Sequence, residues 1–234
     1  MTGVTRRILA IVAVWVWFGG CATFAPRADP SSFYVLDALP EADLPVEIST
    51  AGVNANFTAG LGTIELPGYL DRQQIVTRTS NNRLSYSEND RWATPLAESF
   101  SRVLGQNISH LLKPGQMTQF PWRSTDVPDY QVKIEVIQFE ANSDQQVWLI
   151  ARWSVIDRSK KILVRQRSQL NRRAESSATE DFVKGLSATL GDLSREIVKT
   201  LLSLEKQDKT LIPTRSLRKS TVAYRALFSG LVSY

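Results

Sequence analysis

Residues 147–170 read VWLIARWSVIDRSKKILVRQRSQL, and this stretch decides the fold class. In its first ten residues, apolar side chains occupy every second position, which predicts a β-strand with one buried face. The DRSKK sequence that follows is typical of a turn, after which a second β-prone run begins. The stretch therefore predicts an antiparallel hairpin whose apolar face needs a covering layer. That face is formed by Val147, Leu149, Ala151, Trp153 and Val155.

Two amphipathic helices are predicted to supply the covering layer. The first begins near Pro95, with Thr94 as its N-cap and Glu98 placed to close a capping box. Its apolar stripe, at helical spacing, consists of Leu96, Phe100, Val103, Leu104, Ile108, Leu111 and Leu112. The second helix is predicted over residues 178–204. Its stripe consists of Phe182, Leu186, Leu190, Leu193, Ile197, Leu201 and Leu204.

Further strands are predicted from short β-branched or alternating runs between turn-forming residues. They lie at 33–36, 61–66, 74–78, 83–87 and 130–140. Two helices and a sheet of this kind define an α+β fold, in which an antiparallel or mixed sheet is covered by two amphipathic helices. We assign this single domain to residues 33–204.

The N-terminus has the pattern of a lipoprotein signal peptide. Arg6 and Arg7 precede an apolar run over residues 8–18, which is shorter than the ~20 residues of a membrane-spanning helix. Gly19 and Gly20 then precede Cys21, so residues 1–20 are predicted to be removed. An ordinary signal peptide and an N-terminal anchor helix are the alternatives.

Cys21 is the predicted lipidation site. It is the only cysteine, so a disulfide within the chain is impossible, and acylation would remove a lone exported thiol. Several acyl chains on one residue give stable anchoring, at about 0.8 kcal/mol per buried methylene. Residues 21–32 are small, polar and proline-containing, which predicts a lipidated tether. No aspartate follows Cys21, which favours the periplasmic face of the outer membrane.

The sequence contains no pattern of a known catalytic or metal site. His110 is the only histidine and lies off the apolar stripe of its helix, so a Cys/His metal site is excluded. The chain also lacks a Gly-x-Ser-x-Gly elbow and phosphate-binding glycine loops. A formal charge of +5 is too weak and scattered to favour nucleic acid. We therefore predict neither an enzyme nor a cofactor.

Basic residues concentrate on or near the 147–170 hairpin. They are either a solvated sheet face and turn, or a docking surface for an acidic partner or for lipid head groups. These residues are Arg152, Arg158, Lys160, Lys161, Arg165, Arg167, Arg172 and Arg173. Residues 205–234 are predicted to be a flexible tail, and the apolar residues near its end are either poorly ordered or a partner-binding segment.

A family resemblance is carried by the first half of the domain. The matching elements are Leu-Pro-x-Tyr-Leu-Asp-Arg at 66–72, Gln-Ile-Val-Thr-Arg at 74–78, Asn-Arg-Leu at 82–84, Arg-Trp-Ala at 91–93 and the helix start at 95–96. In this order and spacing the chain resembles the ABC-type transport auxiliary lipoprotein family, of which paraquat-inducible protein C is the best-known type. The resemblance covers residues 33–204 and does not extend to the tail.

The resemblance implies a non-enzymatic periplasmic lipoprotein of the outer membrane. It would serve an intermembrane phospholipid transport system as a partner of an MCE-domain protein and the associated inner-membrane permease components. A ring-shaped homo-oligomer that matches a ring-shaped partner is plausible by analogy. The alternatives are a structural or assembly lipoprotein of the envelope without a role in lipid transport and, with least support, a periplasmic hydrolase.

A tentative partner-binding surface is predicted around two aromatic and two arginine side chains next to turns. Aromatic and arginine residues contribute most binding energy at interfaces. The set comprises Tyr69, Asp71, Arg72, Arg91 and Trp92. The alternative is that these residues hold the fold, with the arginines paired internally and Trp92 packed at the start of the helix.

Overall fold

The computed structural model describes residues 29–40, 57–112 and 116–228, with the side chains of Ser124 and of residues 209–228 left out. The signal peptide, Cys21 and most of the tether therefore lie outside the described residues. From Ser32 onward the chain forms one compact unit. Its fold is α+β, as the sequence predicts, with a mixed eight-stranded sheet and two helices.

The longest strands are the three that the sequence identifies most clearly. β6, β7 and β8 form a continuous antiparallel meander. On its other side, β6 takes two parallel neighbours, β2 along its first half and β3 at its end. The strands are β1 (Ser32–Tyr34), β2 (Ala59–Glu65), β3 (Gln74–Ser80), β4 (Arg83–Trp92), β5 (Met117–Gln119), β6 (Tyr130–Asn142), β7 (Gln146–Asp157) and β8 (Ile162–Arg173).

Both helices, α1 (Leu96–Leu111) and α2 (Thr179–Phe228), pack on one face of the sheet. This inner face carries the alternating apolar residues of β6 and β7, and Leu190, Leu193 and Ile197 of α2 are fully buried against it. Burying one such side chain contributes about 1.5–3 kcal/mol. Gly185 allows the close approach, because a Cβ there would lie 2.8 Å from the side chain of Val147.

The structure differs from the sequence predictions at four places. The strand predicted over residues 83–87 continues as β4 to Trp92, because β1 pairs in parallel with its last three residues. β5 was not predicted. Thr94 does not cap α1, since its hydroxyl contacts Ser99 and the helix begins after Pro95. α2 continues to Phe228 and does not end near residue 204.

Candidate docking surfaces on the outer face of the sheet

The outer face of the sheet, opposite the helices, carries part of the predicted docking surface and of the basic hairpin. Residues paired across antiparallel strands share a face. The pairs Glu140–Trp148, Glu135–Arg152 and Arg152–Arg167 therefore all belong to this outer face. Glu140 lies at one end of the face, and the arginines lie at the other.

One end of the outer face contains a buried carboxylate with two side-chain partners. The side chain of Glu140 is fully inaccessible, and Arg78 of β3 donates from Nε to its Oε1 at 2.7 Å. Tyr69, in the 3-10 turn Gly68–Leu70, donates its hydroxyl to Oε2 at 2.7 Å. We call these three residues the Glu140 cluster. A buried carboxylate is tolerated when it is both paired and hydrogen-bonded, as it is here.

The side chain of Tyr69 therefore points onto the outer face of the sheet, toward Glu140, and not into solvent. Burial, followed by the hydrogen bond to Glu140, raises the pKa of the Tyr69 phenol above its ordinary value. The phenol consequently remains a proton donor at neutral pH. This geometry supports the fold-holding alternative for Tyr69, although it does not test partner binding.

Asp71 and Arg72, on the same turn, are exposed. The Arg72 guanidinium lies 4.0 Å from the ring centroid of Tyr86, and its Nε donates to the carbonyl oxygen of Tyr69 at 3.0 Å. A cation–π contact of this kind is worth about 0.5–1 kcal/mol at an exposed site. These two residues offer surface to a partner, and their docking role stays a prediction.

Trp92 needs a correction, because its side chain is only 4% exposed and belongs to the hydrophobic core. It has too little accessible surface to contact a partner. Its neighbour Arg91 points to the opposite face of β4, beside Phe33 of β1. Arg91 is half-buried, and its Nε has no hydrogen-bond partner. The five predicted residues thus do not form one exposed patch.

The other end of the outer face is an open groove of about 550 Å³. It crosses strands β2, β6, β7 and β8. Its charged lining residues are Glu65, Lys133, Glu135, Arg152, Arg165 and Arg167. Arg152 pairs with Glu135 at 3.3 Å, and both side chains are more than half exposed. Within the described part of the chain, neither Arg165 nor Arg167 has an ion pair.

The basic residues of the hairpin fall into two groups: those that form an ion pair, and those that form none among the described residues. Arg158 pairs with Asp129 at 3.1 Å, and Arg172 pairs with Asp192 of α2 at 2.8 Å, so these two are engaged within the domain. Lys160 and Lys161 lie on the exposed β7–β8 turn, where Lys160 has a φ of 64°. Arg165, Arg167 and Arg173 remain as exposed cations on β8, and the first two of them line the groove.

Three charged residues of the groove were not predicted from the sequence: Glu65, Lys133 and Glu135. Their positions at the polar sites of alternating strands indicate only that they face solvent. Alternation does not reveal, however, which strands are neighbours, and here β2 joins the meander through a parallel pairing. His110, which lies off the apolar stripe of α1, is exposed near the end of that helix.

Other features of the described residues are plain. No group of three or more metal-ligating side chains comes together among them. Likewise, none of the helices within the described ranges combines the length and apolarity needed to cross a membrane.

The fold is similar to that of two solved structures. One is described as an uncharacterized protein, with 19% identity and a TM-score of 0.60 over 73% of this chain and 98% of the other. The second is protein XCC0632 from Xanthomonas campestris, with 14% identity and a TM-score of 0.62 over 77% of this chain and 99% of the other. Among proteins with curated descriptions, none matches this sequence significantly.

The class of protein follows from the family comparison. The model of the ABC-type transport auxiliary lipoprotein component matches residues 34–198, which include both helix starts and all strands from β2 to β8. The chain belongs to this family. It is thus a lipoprotein component of the cell envelope, associated with a membrane and auxiliary to transport.

Proposed function

We propose that this protein is the outer-membrane-anchored periplasmic accessory subunit of an MCE- and ABC-type intermembrane phospholipid transport system, and that it acts by docking and not by catalysis. The observation that carries the proposal is the family match over residues 34–198. Auxiliary components of transporters act on other proteins, so the functional parts of such a chain are its anchor and its contact surfaces.

The anchor is Cys21, through which the mature protein would be held at the periplasmic face of the outer membrane. Residues 21–32 can extend by up to about 40 Å, at ~3.3 Å per residue. A tether of that reach allows the domain to work at a distance from the lipid surface. The MCE-domain protein and its permease components are the proposed partners.

The contact surface lies on the folded domain. The helices cover only the inner face of the sheet, and the outer face has an open groove with charged walls. Open antiparallel faces are normally solvated and polar, so the groove alone does not require a partner. Unpaired cations on an ordered surface steer and orient a complementary partner, and this supports docking.

The proposal is tested by purifying the tagged, full-length protein from its native cells after mild cross-linking. We expect the MCE-domain protein and its permease to be enriched, and membrane fractionation to place the chain in the outer membrane. The Cys21→Ala variant should lose palmitate labelling and outer-membrane localisation. A Ser203→Ala variant, at an exposed position on α2, is the matched control and should behave as wild type.

Enrichment of a different envelope assembly, with no MCE or permease component, would overturn the transport role. Palmitate labelling that persists in the Cys21→Ala variant would overturn the anchor.

A further inference from the structure

The unpaired edge of β8 is the feature that goes beyond the proposed docking role. β8 is 12 residues long. Within the described ranges, it hydrogen-bonds to β7 along one edge and to no strand along the other. A strand edge presents a row of free backbone N–H and C=O groups that can pair with another extended chain.

The charge of β8 determines which chain can pair there. The strand carries four arginines and no acidic residue over Ile162–Arg173. Exposed cations on an edge strand disfavour pairing with another strand of the same charge. Pairing with a second copy of β8 would bring eight arginines together. Charge repulsion therefore disfavours this chain's own β8 at the edge and favours an acidic strand.

Cross-strand pairing within the sheet points to the same type of ligand. Arg167 lies directly opposite Arg152, and Arg165 lies opposite Ser154 on the same face. Like charges directly opposite each other are destabilising. Glu135 offsets only Arg152, at 3.3 Å, so neither Arg165 nor Arg167 has an acidic partner among the described residues.

The mixed charges of the groove and the free backbone edge of β8 favour a protein partner over a membrane surface. Its β2 and β6 walls carry Glu65 and Glu135, which a flat anionic lipid surface would meet together with the arginines. A lipid surface also cannot satisfy the free backbone groups of an edge strand. An extended peptide can satisfy them, and alternate acidic side chains on it can lie beside Arg165 and Arg167.

We propose that β8 is a docking edge for an acidic segment of a partner protein, which adds to the sheet as a further strand. Alternate side chains of the segment are acidic and face Arg165 and Arg167 on the outer face. The backbone pairing supplies affinity, and the two arginines select the charge. The inference rests on the docking role proposed above and specifies its chemistry.

The test uses the whole mature protein, purified in detergent. The probe is a synthetic peptide of about ten residues, within the range of strand lengths, that alternates glutamate with threonine. Calorimetry measures its binding to wild type, to the double variant Arg165→Glu/Arg167→Glu, and to the matched variant Lys160→Glu/Lys161→Glu. The matched variant has the same charge change at the adjacent turn. A second probe carries N-methyl groups on alternate residues, and a third replaces glutamate by lysine.

We expect the acidic probe to bind wild type, to lose at least about tenfold in affinity on the double variant, and to lose less than about threefold on the turn variant. The N-methylated and lysine probes should bind at least about tenfold more weakly than the acidic probe. Circular dichroism of the double variant should match wild type, because the two exchanged residues are exposed.

Four outcomes would overturn the proposal. Equal losses in both double variants would indicate diffuse electrostatics. Full binding of the N-methylated probe would indicate that the edge is not used. Vesicles of phosphatidylglycerol that bind through Arg165 and Arg167, with no binding of the acidic probe, would indicate a lipid surface. Cross-linking of the MCE protein that survives in the Arg165→Glu/Arg167→Glu variant would leave the proposed function standing and remove only this edge.

Discussion

The two ends of the outer sheet face contain the same types of residue in opposite states. At one end, Glu140 is fully buried and paired with Arg78 and Tyr69. At the other end, Arg165 and Arg167 are exposed and unpaired within the described part of the chain. The difference lies in the turn Gly68–Leu70, which places Tyr69 against Glu140, whereas the groove end stays open. Charges at the covered end are engaged within the fold, and the arginines at the open end are exposed to solvent.

The largest expected effect comes from breaking the covered end. Arg78→Ala leaves the inaccessible carboxylate of Glu140 with only the Tyr69 hydroxyl and a nearby backbone N–H. Removing one partner of a buried pair costs about 3 kcal/mol, so we expect the free energy of unfolding to fall by that order in urea titrations. Arg83→Ala, at an exposed position on the neighbouring strand, is the control and should change it by less than about 0.5 kcal/mol. Equal effects would contradict the comparison.

Tyr69→Phe should have a smaller, pH-dependent effect. Burial, and then the hydrogen bond to Glu140, raises the pKa of Tyr69 in the folded state above the unfolded value of about 10. Its contribution to stability is therefore fully present below pH ~10 and is lost as the pH rises through the folded-state pKa. At pH 7 we expect a loss of about 1.5–3 kcal/mol, typical of a hydrogen bond to a charged group.

Thermal melts between pH ~9 and ~11 measure the alkaline part of this prediction. The melting temperature should fall less steeply for Tyr69→Phe than for wild type. Burial also raises the pKa of Tyr130 to about 12, so the double variant with Tyr130→Phe should be flatter still. A slope unchanged by either substitution would show that these phenols do not govern alkaline stability.

Arg72→Ala tests a residue at the border of the covered end. The substitution removes an exposed cation–π contact with Tyr86, and we expect a loss of about 0.5–1 kcal/mol in urea titrations. A loss as large as that of Arg78→Ala would show that Arg72 contributes to stability as much as the Glu140 cluster does. With stability nearly preserved, cross-linking of this variant to the MCE protein tests the predicted docking role of Arg72 without the complication of unfolding.

The smallest expected effect has the opposite sign. Arg167→Thr removes the cation opposite Arg152 and introduces a residue with high strand propensity. We expect the domain to gain about 0.2–1 kcal/mol in the free energy of unfolding while affinity for the acidic probe falls. A variant that is less stable than wild type would show that Arg167 has a stabilising partner and is not reserved for binding.

The sequence predicts those parts of the fold that depend on local pattern. The alternation of apolar residues in β6 and β7 and the apolar stripe of α2 identify the meander and its cover, because both patterns reflect burial against one neighbouring layer. The parallel pairing of β1 with β4 could not be predicted, since it joins segments more than 50 residues apart and depends on tertiary packing. The resemblance to the family located the domain but not its contact surface.

The candidate site was predicted only in part, for a related reason. Glu140 occupies a polar position of an alternating strand, and nothing local indicates that a distant turn buries it. Trp92 precedes a helix in sequence, yet the extension of β4 directs its side chain into the core. The basic character of β8 was visible in the sequence, whereas the distinction between paired and unpaired arginines required α2 and β6.

The most direct test of docking at the open end is site-specific photo-cross-linking in cells. A benzoylphenylalanine at Gln169, on the exposed outer face of β8, is compared with the same residue at Arg83, on the exposed tip of the β3–β4 hairpin. We expect an adduct between the protein and the MCE-domain subunit from position 169 and none from position 83. Adducts of equal yield from both positions, or an adduct with the MCE subunit from position 83 alone, would contradict this expectation.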